Sequence, residues 1–154
     1  MIVERASIKD AEEILALQKL AYQSEAEIYA DYSLRPLTQT TEQMADDFAK
    51  QLFLKATING RIVGSVRGYV ENGTCYIGRL IVHPDFRNRG IGTRLMKEIE
   101  RCFSETARYE LFTGHRSEGN LRLYRRLGYR SFAEKPVNDR LTLVFLEKKN
   151  QSVS

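Results

Sequence analysis

Arg87-Asn88-Arg89-Gly90-Ile91-Gly92-Thr93 stands between an apolar run ending at Pro84 and an apolar stripe of Ile91, Leu95 and Ile99. A glycine-bearing loop that feeds a helix N-terminus is suited to binding phosphate. The first helical turn has unpaired N–H groups and carries the positive end of the helix dipole. Gly90 and Gly92 remove side chains that would hold a pyrophosphate off the backbone, and Arg87 and Arg89 add charge and forked donors. Two nucleotide patterns fail on residues: Leu95 stands where a dinucleotide fingerprint needs glycine, and no Gly-Lys-Ser/Thr follows for a Walker loop. By itself such a loop also occurs as a plain helix cap.

A second segment, Ser117-Glu118-Gly119-Asn120-Leu121-Arg122-Leu123-Tyr124-Arg125-Arg126-Leu127-Gly128-Tyr129, predicts a short helix stopped at Gly128. Leu121, Tyr124 and Leu127 are three apart, which puts Tyr124 near the apolar face with its hydroxyl directed inward. The plainer reading is a core aromatic whose hydroxyl finds any acceptor. Arg122, Arg125, Arg126 and Arg130 read as a solvated cationic face. Cys75, His83, Cys102 and His115 are zinc-ligand types but include no short chelating pair, so no metal is expected. The two cysteines read as buried thiols serving as small apolar groups.

The elements that must position these residues follow from pattern. Ile2–Ala6 reads as a strand, and Ile14, Leu17 and Ala21 mark a helix from Asp10. Residues 24–40 read as a loop bearing acidic Glu25, Glu27 and Asp31 among tyrosines, and a helix follows from Thr41 to about Lys50. Phe53–Ile58, Arg61–Val70 and Thr74–Val82 are separated by Asn59-Gly60 and Asn72-Gly73, two hairpin turns of an antiparallel meander. A helix over 90–103, a strand over 109–113, a helix over 119–127 and strands over 129–135 and 141–147 complete the order. The result is one α/β domain over 1–147, with a mixed, mostly antiparallel sheet of six to seven strands flanked by helices, and a polar tail over 148–154. The crossover between Val82 and Tyr109 makes those two strands parallel.

Together, Val82-His83-Pro84 with Arg87-x-x-Gly90-x-Gly92, and Leu123-Tyr124-x-x-Leu127-Gly128-Tyr129, resemble the two motifs of the GNAT-type N-acetyltransferase superfamily. The order of elements fits that fold from Ile2 to about Glu147. The resemblance implies an acetyl-coenzyme-A-dependent N-acetyltransferase without a metal, in which a neutral amine attacks the thioester directly. It implies that Leu80, Ile81 and Val82 offer main-chain groups to the acetyl and pantetheine arm. It implies also that Arg87, Asn88, Arg89, Gly90, Ile91, Gly92 and Thr93 hold the diphosphate and that Tyr124 protonates the departing thiolate. The parallel pair lies at the cofactor cleft, between the strands near Val82 and Tyr109. Two positions depart from the family. Ser117 stands where many members have a cofactor-binding asparagine, leaving Ser117 or Asn120 for that contact, and Tyr76 stands where many have a glutamate base. Glu71, Asp85 and Glu110 are the candidate proton acceptors. Tyr22, Glu25, Tyr29 and Tyr76 are the candidate acceptor-binding residues, for a small molecule or peptide. Homodimers are common among proteins of this resemblance.

Composition bounds the rest. The chain has 154 residues, 42% hydrophobic and 29% charged, values of a globular protein with one core. Its longest aliphatic or aromatic run is Leu143–Leu146, and its start lacks a secretory signal, so a cytoplasmic protein without membrane partners is expected. Residues 1–77 carry 8 basic and 11 acidic side chains, net −3, whereas 78–154 carry 16 and 9, net +7. A polyanionic coenzyme suits the second half and a cationic amine the first. Two rival readings remain: a non-catalytic acyl-coenzyme-A-binding regulatory module, and a nucleic-acid binder using the arginines of 116–130. The second is disfavoured by small net charge and a lack of interleaved aromatics, so no nucleic-acid partner is expected.

Overall fold

Asn59 and Gly60 adopt φ of 51° and 77°, and Asn72 and Gly73 of 52° and 78°. Paired left-handed residues of this kind make tight hairpins whose twist matches the flanking strands. These two turns organise the computed structural model, which describes residues 1–151. In chain order the elements are β1 (Ile2–Arg5), α1 (Ala11–Ala21), α2 (Gln23–Tyr29), α3 (Arg35–Thr38), α4 (Thr41–Lys50), β2 (Leu52–Ile58), β3 (Arg61–Glu71) and β4 (Thr74–Val82). They continue as α5 (Ile91–Cys102), β5 (Arg108–Gly114), α6 (Glu118–Arg126), β6 (Arg130–Pro136) and β7 (Thr142–Lys149). The seven strands form one mixed sheet in the order β1-β2-β3-β4-β5-β7-β6, antiparallel throughout except for the parallel pair β4–β5.

Helices cover the sheet on both sides. Leu95, Met96 and Ile99 of α5 pack on Val66, Cys75 and Leu146, while Ile14, Leu17 and Met44 of α1 and α4 pack on Phe53 and Ile81. Three expectations are corrected. Residues 24–40 are not a loop but hold α2 and α3. Tyr22, Ala26 and Tyr29 share one face at helical spacing, but seven residues are too few for that period to stand out. Cys75 is buried, whereas Cys102 is exposed. The final strand runs two residues past Glu147, because Lys148 Nζ reaches Glu100 at 2.8 Å, and Glu100 also accepts from the Tyr129 hydroxyl at 2.9 Å. The end of the expected tail, residues 152–154, lies outside the described residues.

Among the described residues, Cys75, His83, Cys102 and His115 form no cluster. The His83 ring meets Arg61 and the Asp85 N–H, and His115 meets the backbone of Thr142. Among the described residues, no helix is long and apolar enough to cross a membrane.

The feature of β4 that matters most is a bulge. Between Ser65 and Arg67 the β3–β4 register shifts, so that Arg79 and Leu80 lie opposite the single residue Val66, and Arg79 takes φ 49°. The extra residue inverts the strand's alternation. Cys75 and Ile77 face the α5 core, and beyond the bulge Leu80 and Val82 face it too, while Ile81 turns to the α1 side. On its other edge β4 pairs with β5 only from Thr74 to Tyr76, opposite Arg108 to Glu110. Past that point the two strands separate. The opening therefore lies beyond Tyr109, which sits at its closed end.

Candidate active site

A cleft of about 510 Å³ occupies the space where β4 leaves β5. One wall is Leu80, Ile81 and Val82; the floor is Gly90 to Thr93; α6 contributes Asn120 and Leu123, and α1 and α2 contribute Tyr22, Glu25 and Ile28. The β4 edge that faced β5 has no strand partner here, so its main-chain groups are available to a ligand.

The floor is an uncapped helix end. Gly90 provides no side-chain cap to α5, and the first intrahelical bond runs from Arg94 N–H to the Gly90 carbonyl at 3.0 Å. The amides of Ile91, Gly92 and Thr93 thus lack helical acceptors and meet the cleft. The two glycines do different work. Gly90 holds φ 82° in open space, whereas a Cβ on Gly92 would stand 3.3 Å from Leu123. Gly92 thus lets α5 lie close to α6. Arg87 and Asn88 line the cleft, and the Arg87 guanidinium also donates to the Ala21 carbonyl at 3.0 Å, tying the loop to the end of α1. Arg89 lies over the Phe86 ring at 5.0 Å. Unpartnered amides, a left-handed glycine and nearby guanidinium groups fit a diphosphate-bearing coenzyme.

Tyr124 is 6% exposed, sits in the α5-side core with its ring 6.1 Å from that of Tyr129, and is not itself among the residues that line the cleft. Burial pushes the phenol well above its ordinary 10.0, and the nearby Tyr22 and Glu25 push in the same direction. Burial raises Tyr22 as well, against the lowering influence of Arg79. Glu25 reaches the cleft, and its Oε2 accepts from the Ser117 hydroxyl at 2.6 Å. Ser117 is thereby engaged, while Asn120 donates to Thr113 Oγ1 at 3.2 Å and leaves its carbonyl oxygen uncommitted among the described residues.

Several expected residues are elsewhere. Tyr29 is buried against Ser117 and the Arg116 amide, outside the cleft lining. Tyr76 stacks on Tyr69 with ring centroids 5.3 Å apart. Of the acidic trio, Glu27 is exposed and Asp31 is occupied by the Ser33 amide and hydroxyl, which leaves Glu25 alone facing the cleft. None of the three candidate proton acceptors lines it. Glu71 and Asp85 are exposed, and Glu110 pairs with Arg108 at 2.9 Å. Ser24 and Ile28 of α2 also line the cleft beside the expected Glu25, and neither residue type carries a signal for such a role in the sequence.

The model of the acetyltransferase (GNAT) family matches residues 11–129, which span both motifs and the splayed strands. The chain belongs to the GNAT acetyltransferase family. An acetyltransferase of Pectobacterium atrosepticum is 50% identical over 52 residues, 32% of this chain and 36% of that protein. The match thus spans about a third of the relative's length. The ribosomal-protein-S18-alanine N-acetyltransferase of Escherichia coli superposes with a TM-score of 0.80 at 15% identity, covering 96% of this chain and 92% of the other. The PaiA N-acetyltransferase of Thermoplasma acidophilum, solved in complex with coenzyme A, gives 0.77 at 18% identity over 97% and 99%. At these identities the two structures share a fold with this GNAT chain.

Proposed function

We propose that this GNAT protein transfers an acetyl group from acetyl-coenzyme A to an amine-bearing small molecule or peptide. The observation that carries this reading is the opening of β4 from β5 directly above the uncapped amides of α5. The coenzyme bound to the PaiA relative supports the choice of donor.

Acetyl-coenzyme A supplies an activated thioester when bound. The amides of Ile91, Gly92 and Thr93, with Arg87 and Asn88, hold the diphosphate; the free edge of Leu80, Ile81 and Val82 and the Asn120 carbonyl hold the arm. A main-chain N–H near Val82 stabilises negative charge on the carbonyl oxygen without reorganising. Tyr124 holds its proton at neutral pH and gives it to the leaving sulfur. Fixing both reactants in one cleft supplies much of the acceleration.

A thiol-release assay with acetyl-coenzyme A across small amines, amino acids, peptide N-termini and lysine peptides tests the reading. Release is expected with one amine class and only background without amine. Calorimetric binding of the coenzyme with no release for any amine would instead make the protein a binding module.

A further inference from the structure

We propose that Glu25 accepts the proton of the arriving ammonium, and that Ser117 and Tyr29 are the positioning residues that hold it there. This rests on the acetyl-transfer reading above. Among the described residues, two carboxylates line the cleft: exposed Glu118 at the start of α6, and half-buried Glu25.

The directions of three hydrogen bonds are forced. The Arg116 amide donates to the Tyr29 hydroxyl at 2.9 Å, so Tyr29 accepts there. Ser117 has one hydroxyl hydrogen, and a carboxylate can only accept, so Ser117 donates to Glu25 at 2.6 Å. The 2.8 Å contact between Tyr29 and Ser117 must then be donated by Tyr29. A chain that begins at a backbone amide cannot carry protons away, so it is a brace. It fixes Oε2 of Glu25 and leaves Oε1 without a hydrogen bond to the described residues. Tyr29 and Ser117 are each 3% exposed, which shields the brace from water.

The fit is tight. A Cβ on Gly114 would stand 2.0 Å from the Tyr29 hydroxyl, so the glycine is what admits the phenol to this position. The serine that replaces the family's usual asparagine here thus holds a carboxylate.

The proton balance is simple. The ammonium N–H bond breaks, its proton passes to Oε1 and then to water, and the electron pair left on nitrogen forms the new bond to the acyl carbon. The carbon–sulfur bond then breaks, the sulfur takes the Tyr124 proton, and the second proton, lost from the nitrogen as the amide forms, returns to Tyr124 through water. The other titratable or charged groups lining the cleft with Glu25 are Tyr22 between α1 and α2, Glu118 and Arg126 from α6, and Arg87 from the loop, and Tyr124 lies behind the lining within electrostatic reach of Glu25.

The test combines coenzyme affinity by calorimetry with kcat and KM for the acceptor from pH 6 to 10. For Glu25→Gln we expect kcat to fall about 100-fold at neutral pH. Coenzyme affinity should be unchanged, and the deficit should narrow as pH approaches the acceptor's own pKa and the amine arrives neutral. Ser117→Ala and Tyr29→Phe should each cost about tenfold with the same narrowing, and Ser117→Thr, which keeps the hydroxyl, should restore turnover. Undiminished kcat in Glu25→Gln overturns the proton role while leaving acetyl transfer standing, as does a change confined to KM at every pH. Wild-type protein that binds the coenzyme but releases no thiol overturns both.

Discussion

Tyr124 shows how burial keeps a phenol protonated. Its spacing with Leu121 and Leu127 marks it as an inward-facing residue, and that much is legible in the chain. The raised phenol is not, because it comes from the apolar surroundings of α6 and from Tyr22 and Glu25, which belong to a distant stretch of sequence. The sign is clear: burial penalises the phenolate, so the proton stays on Tyr124 through the neutral range and beyond its ordinary 10.0. Tyr124→Phe is expected to lower kcat about 100-fold with coenzyme affinity unchanged, measured by single-turnover kinetics so that product release does not hide the chemical step. Glu25 and Ser117 teach the converse. Each was noticed by type, as an acceptor contact and a cofactor contact, but only the 2.6 Å bond between residues 92 apart joins them.

At the scale of elements, α5 was readable because twelve residues carry a full stripe of period 3.6 with a glycine at its start. The seven-residue α2 was not, although it brings Glu25 to the cleft. Its seat depends on Gly114 at the end of β5. Gly114→Ala should drive the new methyl into Tyr29, displace α2 from the β5–α6 junction, and cost about 1–3 kcal/mol in urea unfolding. Activity should fall further than stability alone explains, because the brace on Glu25 opens. The β4 bulge was equally hidden. Asn-Gly turns announce hairpins through φ, but an extra residue opposite Val66 has no compositional mark, and Arg79 adopts φ 49° without being glycine or asparagine.

The whole molecule carries several proton-holding groups in its interior, and this sets its response to alkali. Burial pushes the Cys75 thiol from 9.0 up to about 12, and burial likewise raises Tyr109, Tyr124 and Tyr129 above 10.0. The folded chain keeps these protons at pH values where the unfolded chain releases them. Their stabilisation is therefore complete below the unfolded values and is lost as pH rises through the folded ones. A melting temperature that is flat to about pH 9 and then falls steeply toward pH 12 is expected by circular dichroism, with roughly 1 kcal/mol lost per pH unit per group. A flat profile through pH 11 would contradict it. The division of charge between −3 and +7 also acquires a place: α1 and α2 bring the first half to one side of the cleft, and α5 and α6 bring the second half to the other.

The chain by itself determined the meander, the crossover that makes β4 and β5 parallel, the loop before α5 and the tyrosine of α6. Each of these depends on neighbours within a few residues, through φ preferences, helical period and uncompensated amides. Tertiary structure alone decided where β4 leaves β5, that Gly92 serves packing against Leu123, and that Ser117 holds Glu25. These depend on which distant surfaces meet, and a hydrogen bond or a steric limit between remote residues leaves no periodic trace along the chain.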